Sequence, residues 1–162
     1  MKNSVKIWLD LDGTVYDLYN VNNWEPRLRA EDPTVFEDGD FISDYDRFIS
    51  ICNKLVLIGV QFGVITWLSM QSSIEYEIEC EKVKREWVNK FMPFVTEFNA
   101  QSYGTPKQYA VQKRAKTMYL LDDNKEVCEM WQTEKMRKSI NVNRDGLTTI
   151  EALEKIYREL TK

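Results

Sequence analysis

The stretch VKIWLDLDGT, residues 5–14, is the part of the sequence that decides the fold. Residues 5–9 are almost continuously apolar, which predicts a buried central strand of a parallel sheet. Asp10 and Asp12 follow this run directly, and Gly13 permits a sharp turn after them. Burying carboxylates is costly unless something compensates their charge. A hard cation such as Mg²⁺, which prefers oxygen ligands, would compensate that charge. Asp10 could then attack a phosphorus atom.

Strands and helices alternate along the rest of the chain. Further apolar runs predict strands at 61–66, 94–98, 118–121 and, more weakly, 139–142. Amphipathic patterns predict helices from Ser43 to Gly59, from Ser72 or Ser73 to Phe91, from Pro106 to about Arg114, at 124–132 and at 148–160. This alternation favours a Rossmann-like three-layer α/β sandwich with a parallel five-stranded sheet, in which ligands bind beyond the carboxyl ends of the strands.

The size and charge of the chain limit its organisation and its partners. A length of 162 residues predicts one domain over 1–162, in which the aperiodic, proline-containing segment at about 15–42 is a small insertion. A net charge of −4 gives no attraction to a nucleic-acid backbone, so we expect no nucleic-acid polymer as a partner. No apolar run is long enough for a membrane span or a signal peptide, which predicts a cytoplasmic protein without a membrane partner. The sequence makes no prediction of oligomeric state.

The absence of histidine excludes several kinds of site. Histidine-based general bases, Ser-His or Cys-His nucleophiles and His-ligated zinc are all ruled out. Acid–base chemistry must therefore fall on carboxylates, lysines, tyrosines or water. The three cysteines are scattered without metal-binding spacing, so they are predicted to be plain buried thiols in a reducing compartment.

Polar side chains stand where three of the predicted strands end. Asp10 follows the first strand, Thr66 ends the second, and Asp122 follows the fourth. Neighbouring parallel strands would bring these side chains to the same edge of the sheet. Each residue also has an ordinary interpretation: Asp10 as a helix-capping or turn aspartate after a strand, Thr66 as a strand terminus, and Asp122 with Asp123 as a solvated turn in which Asn124 caps the next helix.

The order of these motifs resembles that of the haloacid dehalogenase superfamily. DLDGT at 10–14 is similar to its first motif, the strand that ends in Thr66 to its second, Lys107 after Pro106 to its third, and LLDDN at 120–124 to its fourth. The resemblance implies the strand order 3-2-1-4-5 and a small cap at the insertion. It also implies a Mg²⁺-dependent phosphomonoester hydrolase that works through an aspartyl-phosphate.

The resemblance assigns a role to each motif residue. Asp10 is the nucleophile and supplies one oxygen to Mg²⁺, while the backbone carbonyl of Asp12 supplies another. The Asp12 side chain is the general acid for the leaving group and then the base for water, because the two half-reactions need opposite protonation states. Thr66 binds a phosphate oxygen. Lys107 neutralises charge on Asp10 and the phosphate, with Lys113 and Lys116 as alternatives.

The remaining acidic pair completes the expected metal site. Asp122 is a direct or water-bridged ligand, and Asp123 acts from behind it or through a metal-bound water. An enzyme that keeps both Asp10 and Asp12 is expected to act on phosphates rather than as a dehalogenase. A phosphomutase or phosphotransferase with the same aspartates, and a non-catalytic phospho-ligand binding protein on the same fold, are the alternative functions.

The insertion bears on the choice of substrate. Aromatic residues stack on bases and arginines bind phosphates, so the insertion would form one wall of a pocket for a small phosphorylated substrate. The residues in question are Tyr16, Tyr19, Trp24, Phe41, Arg27 and Arg29. In the alternative interpretation the rings only pack the loop, and the arginines pair with Glu25, Glu31 and Asp32. The general layout resembles the 5′-(deoxy)nucleotidase-like branch, which implies a mononucleotide as substrate.

Overall fold

A parallel five-stranded sheet lies at the centre of the computed structural model, which describes residues 4–111, 115–144 and 146–162. The strands are β1 (Val5–Leu9), β2 (Gln61–Trp67), β3 (Val95–Gln101), β4 (Thr117–Asp122) and β5 (Arg137–Asn141). Their order is β3-β2-β1-β4-β5, and every neighbouring pair is parallel. The expected order 3-2-1-4-5 is therefore confirmed.

Helices cover both faces of this sheet. They are α1 (Trp24–Arg29), α2 (Tyr45–Leu57), α3 (Ile74–Phe91), α4 (Lys125–Trp131) and α5 (Thr149–Leu160). Alternate residues of β1 point to opposite faces: Ile7 and Leu9 share one buried cluster with residues of α2, α3 and α5, whereas Trp8 packs with residues of α4. The predicted Rossmann-like three-layer α/β sandwich is thus confirmed.

A close contact between β1 and β2 explains one glycine in the sheet. The Trp8 ring lies over Gly63, and a Cβ atom at Gly63 would come within 2.3 Å of that ring. Because Trp8 is completely buried, the ring could not move aside without disturbing the packing beneath α4. The tight fit helps to hold β1, which carries the motif residues, at the middle of the sheet.

The start of one predicted helix and the length of another differ from the structure. The N-cap of α2 is Asp44 and not Ser43, because the Asp44 carboxylate accepts a hydrogen bond from the backbone N–H of Arg47. After Pro106 the chain forms only the 3₁₀ turn Lys107–Ala110, and Val111 is already extended. The Gln108 carbonyl accepts hydrogen bonds from the Arg137 side chain, which occupies the carbonyl that would otherwise continue a helix. The rest of that predicted helix, 112–114, lies outside the described residues.

The buried face of α3 also differs from the predicted one. Ser73 caps this helix as expected. The spacing of Cys80, Val83, Trp87 and Phe91 in the sequence predicts that they form the inner face, but Val83 and Phe91 are only half-buried. The fully buried positions are Tyr76, Cys80, Lys84, Trp87 and Val88. A lysine therefore lies on the inner face of this helix.

The segment at 15–42 contains two 3₁₀ turns, Leu18–Asn20 and Pro33–Phe36, on either side of α1. Leu18, Val21, Val35 and Phe36 are buried against the main cluster, so this segment packs on the body of the molecule. Cys52, Cys80 and Cys128 are all buried free thiols. Within the described ranges, no helix combines the length and the apolar character needed to cross a membrane.

Candidate active site

Three carboxylates meet at the carboxyl edge of the sheet. β1 and β4 are paired in register with Leu9 opposite Leu121, so Asp10 and Asp122 follow at the same level. The backbone N–H of Asp10 donates to the Leu121 carbonyl at 3.0 Å. Oxygen atoms of Asp10, Asp122 and Asp123 all lie within 4.8 Å of one another, and all three residues are buried. A buried set made only of oxygen donors fits Mg²⁺.

Lys107 holds two of these carboxylates together. Its Nζ lies 2.6 Å from Asp10 Oδ1 and 2.7 Å from Asp122 Oδ2, and its side chain is only 3% exposed. Burial alone would lower the pKa of Lys107, but the charges of Asp10 and Asp122 outweigh burial and raise it above its ordinary value. Of the alternatives, Lys116 lies at the exposed start of β4 and Lys113 is outside the described residues. Lys107 therefore contacts Asp10, and its role in neutralising charge on Asp10 and a phosphate stays a prediction.

Asp12 has a separate cation partner, which the sequence analysis missed. Lys84 of α3 lies 2.6 Å from Asp12 Oδ2, and the side chains of these residues are 2% and 21% exposed respectively. Burial raises the pKa of the Asp12 carboxyl, and the Lys84 ammonium opposes that rise. The signal in the sequence was a lysine four residues after Cys80 and three before Trp87, inside an otherwise apolar helical face.

Thr66 faces Lys84. Its hydroxyl donates to the Trp67 carbonyl at 3.3 Å and accepts from Lys84 Nζ at 3.2 Å. Thr66 is fully buried, whereas the cavity wall next to it is formed by Trp67, Leu68 and Ser69. The role of Thr66 in binding phosphate stays a prediction. On the part of the cavity wall next to Thr66, Ser69 carries a hydroxyl.

Asp123 and Arg144 form the fourth ion pair of the site. Arg144 Nε lies 3.0 Å from Asp123 Oδ2, and the guanidinium stands 5.4 Å from the centre of the Tyr19 ring. Burial and the nearby charges of Asp10 and Asp122 raise the pKa of Asp123 to about 7, against the opposing charge of Arg144. Nothing in the sequence around Arg144 distinguished it from an ordinary surface arginine.

The edge cluster is our name for Asp10, Asp12, Asp122 and Asp123 together with Lys84, Lys107 and Arg144. Every carboxylate in it contacts at least one cation, at 2.6–3.0 Å. When all four carboxyls are ionised, they leave one net negative charge against the three cations of the cluster. That excess is small enough for a divalent cation to reverse, so that the cluster with bound metal would attract a phosphate.

The loop after Asp12 is held by residues from the other end of the chain. Gly13 has φ +79°, and a Cβ atom there would come within 2.4 Å of Asp123 Oδ2, so only glycine fits. Asn143 Nδ2 donates to the carbonyls of Gly13 and Thr14, and the Thr149 hydroxyl donates to the same Thr14 carbonyl at 2.6 Å. The Thr14 hydroxyl in turn accepts from the Asp123 N–H at 3.1 Å. These bonds fix the first and fourth motifs relative to each other.

The edge cluster opens into a cavity of about 680 Å³, a size typical of small-molecule sites. Two aromatic pairs line it, which we name the aromatic wall: Tyr19 with Trp24, and Trp67 with Tyr103. The ring centres are 5.3 Å apart in the first pair and 4.9 Å apart in the second. Both the insertion and the chain after β2 and β3 therefore contribute apolar surface to the cavity.

The insertion residues divide between the two interpretations made from the sequence. Tyr19, Trp24 and Arg29 line the cavity. Tyr16 is instead buried, donating to the Val35 carbonyl, and Phe41 packs against Phe48 and Trp87. The expectation that Tyr16 and Phe41 form the pocket is therefore wrong, because both rings are used to attach the insertion to the core.

The charged residues of the insertion mostly pair with one another. Arg27 contacts Asp32 and Asp38, and Arg29 contacts Glu25. Glu31, expected to pair with an arginine, instead accepts hydrogen bonds from the N–H and hydroxyl of Ser73 at the start of α3. Arg27 is thus a structural residue of the insertion, and the bonds of Glu31 tie the insertion to α3.

Comparisons with known proteins give little sequence similarity. No protein-family model matches the chain, and no curated protein matches it. Among solved structures, the chain is similar to the crystal structure of a D,D-heptose 1,7-bisphosphate phosphatase from Burkholderia thailandensis. The TM-score is 0.49 and the identity 10%, with 94% of this chain and 98% of that chain covered. At this level of similarity, function has to be inferred from the geometry of the edge cluster and its cavity.

Proposed function

We propose that this protein is a Mg²⁺-dependent phosphomonoester hydrolase of the haloacid dehalogenase type, with Asp10 as the nucleophile. The observation that carries the proposal is the edge cluster itself. Two aspartates that follow β1, two that end β4 and the buried Lys107 meet at the mouth of one cavity. A packed core does not need four carboxylates at one point, because burying them is costly.

In the first half-reaction, the Asp10 carboxylate attacks the phosphorus of the substrate. A bond forms between an Asp10 oxygen and phosphorus, and the bond from phosphorus to the leaving oxygen breaks. Asp12 gives its proton to that leaving oxygen, so the alcohol departs neutral. Lys107, which contacts Asp10, balances negative charge on the transferring group.

In the second half-reaction, water attacks the phosphorus of phospho-Asp10. Asp12, now unprotonated, accepts a proton from that water, and the bond between phosphorus and the Asp10 oxygen breaks. Inorganic phosphate leaves, and both carboxylates return to their initial states. Mg²⁺, held by Asp10, Asp122 and the Asp12 carbonyl with Asp123 behind them, would supply positive charge for the phosphoryl group.

The aromatic wall supports nucleoside 5′-monophosphates as the substrate class. A phosphate at the edge cluster would direct its leaving group into the cavity, where Tyr19, Trp24, Trp67 and Tyr103 offer faces for stacking. Aromatic stacking tolerates any base, so a broad preference among nucleotides is expected. The proposed setting is a cytoplasmic enzyme of one domain that acts on small phosphorylated molecules.

The test is a screen of phosphomonoesters with and without Mg²⁺. Nucleoside monophosphates, sugar phosphates and an aryl phosphate are supplied without any acceptor, and inorganic phosphate is measured. We expect phosphate release that a chelator abolishes and Mg²⁺ restores, fastest with the nucleotides. Release only after an acceptor is added would instead indicate a phosphotransferase. Binding of phosphorylated ligands without any release would indicate the non-catalytic alternative.

A further inference from the structure

Lys84 is a buried amine whose surroundings need explanation. It lies on the inner face of α3 between Cys80 and Trp87, and its side chain is only 2% exposed. An ammonium removed from water on an apolar helix face is costly unless its hydrogen bonds are all satisfied. An apolar residue would fill the same position at lower cost, which suggests that the charge has a purpose other than packing.

The contacts of Lys84 converge on two motif residues. Its Nζ lies 2.6 Å from Asp12 Oδ2, 2.7 Å from the Trp67 carbonyl oxygen and 3.2 Å from Thr66 Oγ1. An ammonium has three hydrogens to donate, so these three acceptors account for all of them. The Phe36 ring packs over the same Nζ, with its centre 4.3 Å away. Lys84 is thus fixed from several directions.

These contacts leave the two oxygens of Asp12 in different states. Oδ2 is held by Lys84, whereas Oδ1 is buried and has no hydrogen-bond partner within the described ranges. A buried carboxylate oxygen without a partner is rare in folded proteins and often marks a site of chemistry. The hydrogen bond from Lys84 is therefore the contact that fixes the orientation of this carboxyl.

We propose that Lys84 is a positioning residue that holds the Asp12 carboxyl through Oδ2 at the edge of the cavity, where this carboxyl can reach the leaving group. This inference rests on the proposed function, since it concerns the acid–base role of Asp12. Lys84 itself does not touch the substrate in this scheme. By holding Thr66 and the Trp67 carbonyl with the same ammonium, it also fixes Asp12 relative to the end of β2.

The proposal is tested with Lys84→Met, which keeps the length of the side chain and removes the charge. Displacing a general acid lowers kcat most for substrates whose leaving group needs a proton. We therefore expect kcat to fall about 10- to 100-fold for an alkyl phosphate or nucleoside monophosphate, and less than about 5-fold for an activated aryl phosphate, with KM little changed. Lys84→Arg retains the charge and should recover part of the loss.

Two controls separate positioning from a general loss of structure. Arg85→Met alters the exposed neighbour of Lys84, which pairs with Glu81, and should leave both rates unchanged. In an Asp12→Asn background, adding Lys84→Met should cost less than about 3-fold, because a residue that acts through Asp12 has nothing left to position. Equal losses for both leaving groups, or full additivity with Asp12→Asn, would overturn the proposal.

A structural readout keeps the two proposals distinguishable. If the unmodified protein releases no phosphate from any ester, the proposed function fails, and crystal structures of the unmodified protein and Lys84→Met then decide the positioning claim. A rotated or shifted Asp12 carboxylate in the variant supports the claim, and an unmoved one refutes it. If Lys84→Met does not fold, Lys84→Arg is used in both measurements, because its charge still compensates Asp12. The longer guanidinium should displace Asp12 in part and give the same dependence on the leaving group.

Discussion

The edge cluster and the aromatic wall face the same cavity but are built in different ways. In the edge cluster, ion pairs of 2.6–3.0 Å fix each carboxylate. In the aromatic wall, the rings contact one another edge-on or tilted, and Tyr19 and Tyr103 are 41% and 53% exposed. Under the proposed function, the rigid first region would bind the phosphate that all substrates share, whereas the more exposed second region would contact the leaving group, which varies.

The largest expected loss of activity comes from Asp10→Asn in the edge cluster. Removing the nucleophile should lower kcat more than about 10⁴-fold for every phosphate ester tested, because no other group can form the covalent intermediate. The measurement is phosphate release, together with the loss of acid-stable labelling of the protein by a ³²P-labelled substrate. Asp46→Asn, on the exposed surface of α2, is the matched control. Turnover of Asp10→Asn near the original rate would show that Asp10 is not the nucleophile and that the edge cluster does not carry the chemistry.

Asp12→Asn should have a large effect that depends on the substrate. General acid–base catalysis is typically worth about 10²–10⁴-fold, so an alkyl phosphate should lose that much in kcat. An activated aryl phosphate needs little protonation and should lose less. The comparison is made from kcat values of the two esters measured side by side. If both esters lose the same factor, Asp12 does not act as the acid.

Trp24→Ala tests the aromatic wall by itself. Stacking on one ring is worth about 1–3 kcal/mol, so KM for a nucleoside monophosphate should rise about 5- to 150-fold. A small sugar phosphate reaches the wall less and should be almost unaffected. Tyr109→Ala removes an exposed ring outside the cavity and is the control. Should nucleotide kinetics survive alanine at each of the four wall positions, the nucleotide preference is wrong and only the generic phosphatase proposal remains.

The smallest expected effect is a change in stability with pH. Burial raises the pKa of Asp123 to about 7, against about 3.9 in an unfolded chain. Between these values the folded metal-free protein binds a proton that the unfolded chain does not. Stability from this group is therefore present at low pH and lost as pH rises through about 7. Burial also raises the pKa of the neighbouring Asp122, to about 6, so both carboxyls contribute to this pH dependence, whereas the chain has no histidine that would titrate there.

The measurement is the melting temperature of the metal-free protein at about pH 5.5 and about pH 8. Tm should fall by about 2–4 °C for each kcal/mol lost. Mg²⁺ binds the deprotonated carboxylates, so it should raise Tm more at the higher pH than at the lower. Asp123→Asn is the control and should reduce the pH dependence, of which Asp122 keeps a part. A metal-free Tm that rises with pH would contradict the assignment.

The same comparison shows what could be predicted from the sequence. Strand ends in a parallel sheet share an edge, so Asp10 and Asp122 could be placed together from apolar runs alone, and Lys107 from its motif. The limits of the strands were less predictable: β3 continues to Gln101 and β5 begins at Arg137. Pairing with a neighbouring strand decides where a strand ends, and that information is not local.

Side chains that reach the site from distant elements could not be placed. Lys84 and Arg144 meet their partners only after α3 and the segment after β5 are packed, and a lysine or arginine alone gives no indication of its partner. In the insertion, the composition predicts that four rings stack on a substrate base. Two of them, Tyr16 and Phe41, instead attach the insertion to the core. Which face of an aperiodic segment is buried depends on tertiary contacts that no sequence period reports.

The hydrogen bonds from Asn143 and Thr149 to the loop at Gly13 and Thr14 have a consequence for biosynthesis. Asp10, the proposed nucleophile, is translated more than a hundred residues before Asn143 and Thr149, which fix the loop beside it. A ribosome adds about 5–20 residues per second, so a nascent chain passes several seconds with its motif aspartates translated but not yet locked. If the proposed function is correct, the protein should gain its activity only after the segment leading into α5 has docked, and an unfinished chain would not hydrolyse phosphate esters.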